Sequence, residues 1–148
     1  LHLNLPEKEI VDYPVTIGGE EYAITCVDMG NPHCVVFCED PSVLDLETLG
    51  PQFEHAKYFP DRINTEFVRV VNRNMLKMRV YERGNGETRA CGTGACAAAV
   101  AAVENGYCDK DTDITVKLLG GELIIRYTEQ TVYLTGNAAL IYKGTVQP

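Results

Sequence analysis

The sequence has few basic residues, no long apolar run and no paired Cys-x-x-Cys spacing. Its 13 Lys and Arg stand against 21 Asp and Glu, which gives a formal net charge of −8 at neutral pH. This acidic balance disfavours nucleic acids and anionic membranes as partners. No apolar run approaches the roughly eighteen residues of a membrane-spanning helix, and no basic leader or lipidation motif is apparent. We therefore expect a soluble cytoplasmic protein.

The six cysteines are spaced unlike those of zinc fingers or ribbons, so we expect no metal site. Four of them, Cys26, Cys34, Cys38 and Cys96, lie in apolar strand-like or helical stretches, which predicts reduced thiols in the core. Cys108 follows a helix and is interpreted as structural. The length suits one domain over residues 1–148, and the first residue, Leu1, suggests a fragment of a longer chain.

A glycine turn that carries a cysteine, Cys91-Gly92-Thr93-Gly94, runs directly into a helix. Thr93 is predicted to cap the first helical turn, and Asn105-Gly106 to end the helix. Every residue from 95 to 103 is small or apolar, so no polar stripe is present. This pattern predicts a helix that is buried on all sides.

The position of Cys91 suggests chemistry. Backbone N–H groups of Gly92, Thr93 and Gly94 are predicted to point outward at the helix start, where the macrodipole adds positive charge. We expect them to lower the pKa of the thiol and to hold a substrate carboxylate beside it. The structural alternative is a small buried filler, which is the role of most cysteines.

Alternating apolar and polar residues predict many strands, including a hairpin over Gly18-Gly19 and a last strand over residues 138–146. Two short helical turns are expected at residues 42–49 and 51–55, with Asp45 as a cap and Pro51 at a first helical position. His55 is expected to face solvent. The fold class is therefore α+β, with a mostly antiparallel sheet wrapped around one buried central helix.

Two polar loops interrupt these strands. Asn31-Pro32-His33 separates two apolar strands, and Glu82-Arg83 ends another strand just before the cysteine turn. Loops held by rigid strands often carry function, and an arginine can bind a carboxylate with two hydrogen bonds. The alternatives are a plain turn and a solvated loop with a surface ion pair.

Together these stretches resemble the C-terminal half of the diaminopimelate epimerase family. The matching motifs follow the family's order: Met29-Gly30-Asn31-Pro32-His33-Cys34-Val35, Arg62-Ile63-Asn64-Thr65-Glu66-Phe67-Val68, Tyr81-Glu82-Arg83-Gly84 and Gly86-Glu87-Thr88-Arg89-Ala90-Cys91-Gly92-Thr93-Gly94-Ala95. The Cys-Gly-Thr-Gly turn alone also resembles proline racemases.

The resemblance implies a cofactor-independent isomerase of lysine and peptidoglycan-precursor synthesis that converts LL- to meso-diaminopimelate. Two cysteines then flank the substrate α-carbon, one from each of two pseudo-symmetric domains, and Cys91 is one of them. His33 and Glu82 would tune the thiol pKa values. The implied substrate-binding groups are Asn31, Asn64, Glu82, Arg83 and the backbone N–H groups of Gly92 and Thr93.

The family's N-terminal domain, which carries the second cysteine, has no counterpart in this sequence. We therefore expect half an active site, inactive unless a second chain supplies the partner thiol, with residues 137–148 as a terminal strand that packs on the partner domain. In this chain alone, that strand would be unpaired or would pair with another copy. Full-length members are expected to be homodimers. Three alternatives stay open: a proline-racemase-like or other amino acid racemase, a metal or redox module using Cys91 and Cys96, and a binding domain that has lost its chemistry. Cys91 and Cys96 lie five residues apart and so face different sides of a helix.

Overall fold

A computed structural model describes all 148 residues, as nine β-strands, two α-helices and one short 3-10 helix. In chain order the elements are β1 (Tyr13–Ile17), β2 (Glu20–Asp28), β3 (Pro32–Phe37), the 3-10 helix (Pro41–Val43), α1 (Leu46–Glu54), β4 (Asn64–Asn72), β5 (Met75–Glu82), β6 (Gly86–Thr88), α2 (Gly92–Glu104), β7 (Asp113–Leu118), β8 (Gly121–Tyr127) and β9 (Val132–Thr135). No helix has the length and apolarity needed to cross a membrane.

All nine strands belong to one sheet with the order β1-β2-β3-β4-β5-β7-β8-β9, and β6 pairs with β5. The β3–β4 and β5–β7 pairs are parallel, and all others are antiparallel. The first hairpin turns at Gly18 and Gly19, which both adopt positive φ as a tight two-residue turn requires. The α+β class predicted from the sequence is confirmed.

Helix α2 is the centre around which the sheet curves, as predicted. Residues 94–102 are all buried, and the helix contacts seven of the strands. Its alanines lie against a ring of strand side chains that includes Val35, Val68 and Ile114. Small side chains along the whole helix let the sheet approach it from several directions, because each alanine adds little radius to the cylinder. The helix ends at Asn105 and Gly106, as expected.

A second apolar cluster lies on the other face of β1–β4, under α1. Phe53 of α1 contacts Phe67 of β4 edge-to-face, with ring centroids 5.3 Å apart. Asp45 caps α1 as predicted, but Pro51 does not begin a second helix: it lies inside the single helix Leu46–Glu54. Burial of Leu46 and Phe53 on either side of the proline outweighs the one missing hydrogen bond.

Three further details differ from the sequence predictions. The N-cap of α2 is Cys91, not Thr93. The charged loop before the helix contains a short strand, β6, which pairs with β5. The glycines in this stretch favoured the prediction of a loop. Residues 136–148 form no strand, because no strand of this chain pairs with them, and their apolar side chains are exposed. His55 is exposed, as predicted.

Candidate active site

The Cys91 thiol lies at the start of α2, next to unpaired backbone donors. Cys91 has extended backbone dihedrals, and its Sγ accepts a hydrogen bond from the Gly94 N–H at 3.3 Å. The N–H groups of Gly92 and Thr93 have no partner within the chain, as expected for the first turn of a helix, and both residues are exposed. This end of the helix can therefore bind an anion beside the thiol.

Thr93 connects the thiol to the Asn-Pro-His loop. Its Oγ1 lies 3.6 Å from Cys91 Sγ and 3.1 Å from His33 Nε2. Asn31 completes the group, with Nδ2 3.3 Å from Thr93 Oγ1 and Oδ1 3.1 Å from His33 Nε2. Thr93, which was predicted to cap α2, therefore links Cys91 to His33. The structure brings together four of the predicted residues, Asn31, His33, Cys91 and Thr93.

Behind His33 lies a carboxylate that the sequence analysis did not single out as a site residue. Glu66 of β4 has no exposed surface, and its Oε1 lies 2.6 Å from His33 Nδ1. Its Oε2 has no hydrogen-bond partner. Burial raises the pKa of the Glu66 carboxyl, while the hydrogen bond from His33 opposes the rise. The available signal was a glutamate inside an apolar strand, where a charged side chain needs a partner.

The expectation of a lowered pKa for Cys91 is wrong for this structure. Burial raises the pKa of the thiol, and the nearby carboxylates Glu66 and Glu82 add to the rise. The hydrogen bond between Cys91 and Thr93 and the one from the Gly94 N–H act in the opposite direction but do not outweigh burial. At neutral pH Cys91 is therefore predominantly the thiol.

The second predicted loop is held beside the first by Asn64. Its Nδ2 donates to the Pro32 carbonyl at 2.8 Å, and its Oδ1 accepts from the Arg83 N–H at 2.8 Å. Glu54, also missed from the sequence, accepts from the Gly84 N–H at 2.6 Å and fixes the same turn. Asn64 thus joins the loop of Asn31 to the loop of Arg83.

Glu82 and Arg83 point in different directions from the end of β5. Glu82 accepts a hydrogen bond from the Thr88 hydroxyl and is close enough to Cys91 to raise the pKa of its thiol. The Arg83 guanidinium donates to the Asp61 carbonyl at 3.2 Å and lines a small cavity of about 180 Å³ together with Asn31. A larger cavity of about 630 Å³, between the N-terminal segment, β2 and α2, contains none of the predicted site residues.

The other cysteines do not join this cluster. All six cysteines are free thiols, and Cys34, Cys96 and Cys108 are buried in the core. Cys96 lies within α2, about 1.4 turns beyond Cys91. The described residues contain no group of three or more His, Cys, Asp or Glu side chains arranged to hold a metal ion.

Known proteins resemble the chain both in sequence and in fold. Curated diaminopimelate epimerases are 51% identical over 140 residues in Nostoc punctiforme, 52% over 145 in Thermosynechococcus vestitus and 52% over 149 in Acetivibrio thermocellus. These matches cover 93%, 95% and 97% of this chain but 50%, 51% and 52% of the relatives. The chain thus spans about half the length of the relatives it matches.

Two solved structures share the fold at low sequence identity. A PhzF-family phenazine biosynthesis protein from Enterococcus faecalis superposes with a TM-score of 0.56 at 17% identity, over 76% of this chain and 42% of that one. One from Bacillus anthracis gives 0.51 at 20% identity, over 76% and 36%. At such identities the likeness concerns the fold alone. The family model described as diaminopimelate epimerase matches residues 25–141, and this chain therefore belongs to the diaminopimelate epimerase family.

Proposed function

We propose that this chain supplies one proton-transferring thiol, Cys91, and part of the substrate site of a cofactor-independent enzyme that converts LL- to meso-diaminopimelate. The observation that carries the proposal is the position of Cys91 Sγ beside the unpaired N–H groups of Gly92 and Thr93 at the start of α2. The names of the relatives support the substrate, since each is a diaminopimelate epimerase.

The helix start provides what abstraction of an α-proton requires. A base that takes the proton leaves an electron pair on the α-carbon, and this pair delocalises into the carboxylate as an enediolate. The N–H groups of Gly92 and Thr93 are fixed dipoles that stabilise the charge as it develops on the carboxylate oxygens. Because the pKa of Cys91 is raised, its resting form is the thiol, which donates a proton. Its action as a base begins with loss of that proton towards Thr93 and His33.

The remaining groups fit a substrate with two amino and two carboxylate groups. Arg83 is suited to a carboxylate and Glu82 to an ammonium group. Asn31 and Asn64 offer amide donors and acceptors between them. Asn64 already uses one N–H and its carbonyl to hold the two loops together, so we assign it a positioning role as well as one remaining N–H for substrate.

Inversion at the α-carbon requires a second proton-transferring group on the opposite face, and none of the other five cysteines lies at a helix start. We propose that a second domain supplies this thiol, and that residues 137–148 pack on that domain through their exposed apolar side chains. The matched share of the relatives, about half, supports this division. We also propose that the complete enzyme is a cytoplasmic homodimer.

Proton exchange at the α-carbon tests the proposal. The chain is incubated with LL-diaminopimelate in deuterated water, alone and together with the half of the Acetivibrio thermocellus relative that it does not match. Mass spectrometry then measures deuterium in the substrate. We expect incorporation only when both halves are present.

The reaction of the chain alone shows whether the active site needs a second domain. Exchange by the chain alone would overturn the half-site and indicate a second base within this chain or a second copy of it. Parallel reactions with L-proline separate the racemase alternative: exchange with proline but not with diaminopimelate would contradict the proposed substrate.

A further inference from the structure

Glu66 combines complete burial with an unpaired oxygen. Neither carboxylate oxygen reaches solvent, Oε1 contacts His33 Nδ1 at 2.6 Å, and Oε2 has no partner. A buried carboxylate that has one oxygen without a hydrogen-bond partner destabilises a fold. An apolar side chain of the same length would avoid this free-energy cost. The contact with His33 is therefore the feature of Glu66 that calls for a functional explanation.

The start of α2 is shaped to accept this carboxylate. A Cβ on Gly94 would lie 2.7 Å from Glu66 Oε1 and 3.2 Å from Cys91 Sγ, so the glycine leaves room for both groups. The first turn of a helix also favours negative charge nearby. Glu66 thus lies beneath the same helix end whose upper side carries Cys91.

The contact with Glu66 determines which nitrogen of the neutral imidazole carries the proton. An ionised carboxylate can only accept, so the contact with Glu66 requires the His33 proton on Nδ1. Nε2 then faces two oxygens, Thr93 Oγ1 and Asn31 Oδ1, each at 3.1 Å. Because an amide oxygen only accepts, its contact with Nε2 becomes a hydrogen bond when Nε2 is protonated, so Glu66 and Asn31 together favour the imidazolium. The titratable groups around Glu66 are His33 of β3, Cys34 of β3, Glu82 of β5 and Cys91 of α2.

We propose that Glu66 is a positioning residue that holds His33 with its proton on Nδ1 and stabilises the imidazolium that forms when Nε2 receives the Cys91 proton. In this step Cys91 gives its proton to Thr93 Oγ1, and the Thr93 hydroxyl passes its own proton to His33 Nε2. One proton leaves sulfur, one reaches nitrogen, and the carboxylate of Glu66 stays ionised. The inference deepens the proposed function and rests on it for its catalytic meaning.

Nitrogen-15 NMR of the three histidines in the free chain tests the tautomer without substrate. His2 and His55 are exposed, so single His2→Gln and His55→Gln variants identify the His33 signals. We expect the neutral His33 ring to carry its proton on Nδ1. A wild-type ring with its proton on Nε2 would overturn the proposal, whatever the exchange assay shows.

Glu66→Met removes the acceptor while it fills the space. In this variant Nε2–H can still donate to Asn31 Oδ1, so we expect the proton to move to Nε2. A folded Glu66→Met chain that keeps the proton on Nδ1 would contradict the assigned role. The matched control is Glu54→Gln, a buried carboxylate without contact to His33, which should leave the tautomer unchanged. If Glu66→Met does not fold, the wild-type spectrum decides alone.

Kinetics of the two complementing halves separate positioning from a purely structural role. Since Glu66 lies behind His33 and not at the surface, Glu66→Gln should lower kcat by about 100-fold or more with little change in KM, and should alter the pH profile of kcat. A folded Glu66→Gln variant with unchanged kcat and pH profile would overturn the inference. Failure of exchange in the wild-type pair would instead count against the proposed function and leave the NMR result standing.

Discussion

Cys91 occupies the N-cap position of α2, where the positive end of the helix dipole would favour a thiolate. Burial and the carboxylates of Glu66 and Glu82 act against this and raise the pKa of the thiol. Such a thiol needs a route by which its proton can leave before it can act as a base. In the proposed mechanism, the Thr93 hydroxyl, 3.6 Å from the sulfur, takes the first step of that route.

The raised pKa predicts how the thiol reacts. Labelling of Cys91 with iodoacetamide should be slow at pH 7 and should rise with pH, with a midpoint above that of a free cysteine, because only the thiolate reacts. Thr93→Val removes a hydrogen bond that lowers the pKa, so its midpoint should lie higher still. Peptide mass spectrometry separates Cys91 from the other thiols. A midpoint below that of free cysteine would contradict this description of the site.

At the scale of single elements, α2 shows how small side chains position the site. Residues 94–102 are buried against strands on several sides, and this packing fixes the direction in which the helix start points. The thiol, the two free N–H groups and the link to His33 all depend on that direction. Packing along the helix therefore controls the geometry at its end.

Enlarging one buried alanine tests this dependence. Ala98 has no exposed surface, so Ala98→Leu should lower the free energy of unfolding by about 1–3 kcal/mol through overpacking. Urea denaturation measures the loss. Val103→Leu, in the half-buried last turn, is the matched control and should cost much less. Equal stability of Ala98→Leu and wild type would show that the sheet does not close tightly around the helix.

Local sequence patterns were enough to predict those helices, strands and turns whose own residues determine their structure. The apolar run of α2, the alternation of β5 and the Gly18-Gly19 turn each determine their structure from neighbouring residues. The site needed more than local pattern. Glu66 pairs with His33 across 33 residues of sequence, and the pKa of Cys91 depends on carboxylates from two strands. Thr93, the predicted cap, contacts Asn31 and His33 of a distant loop instead. Whether residues 136–148 form a strand depends on a pairing strand that their own sequence cannot reveal.

At the scale of the whole molecule, the chain has an apolar tail without a partner. Residues 136–148 are all exposed, and Leu140, Ile141 and Tyr142 each keep at least three quarters of their surface accessible, at 76%, 90% and 82%. Residues that make no pairs add little to the stability of a fold. Their apolar character fits a surface that another domain covers.

Removal of the tail separates folding from assembly. A chain that ends at residue 136 should keep its thermal unfolding midpoint, but should no longer bind the complementing half. Calorimetry and analytical ultracentrifugation measure the two properties. A control with Leu140→Ser and Ile141→Ser in the intact chain should weaken the association without altering the fold. Undiminished association of the shortened chain would contradict the role assigned to residues 137–148.

The most direct measurement for the account is deuterium incorporation at the α-carbon of diaminopimelate by the two complementing halves, compared between Cys91→Ser and Cys96→Ser. Both changes replace sulfur with oxygen on the same helix, but only Cys91 lies beside the free N–H groups. We predict that Cys91→Ser abolishes exchange and that folded Cys96→Ser retains it. Retained exchange in Cys91→Ser would show that another group transfers the proton and would contradict the account.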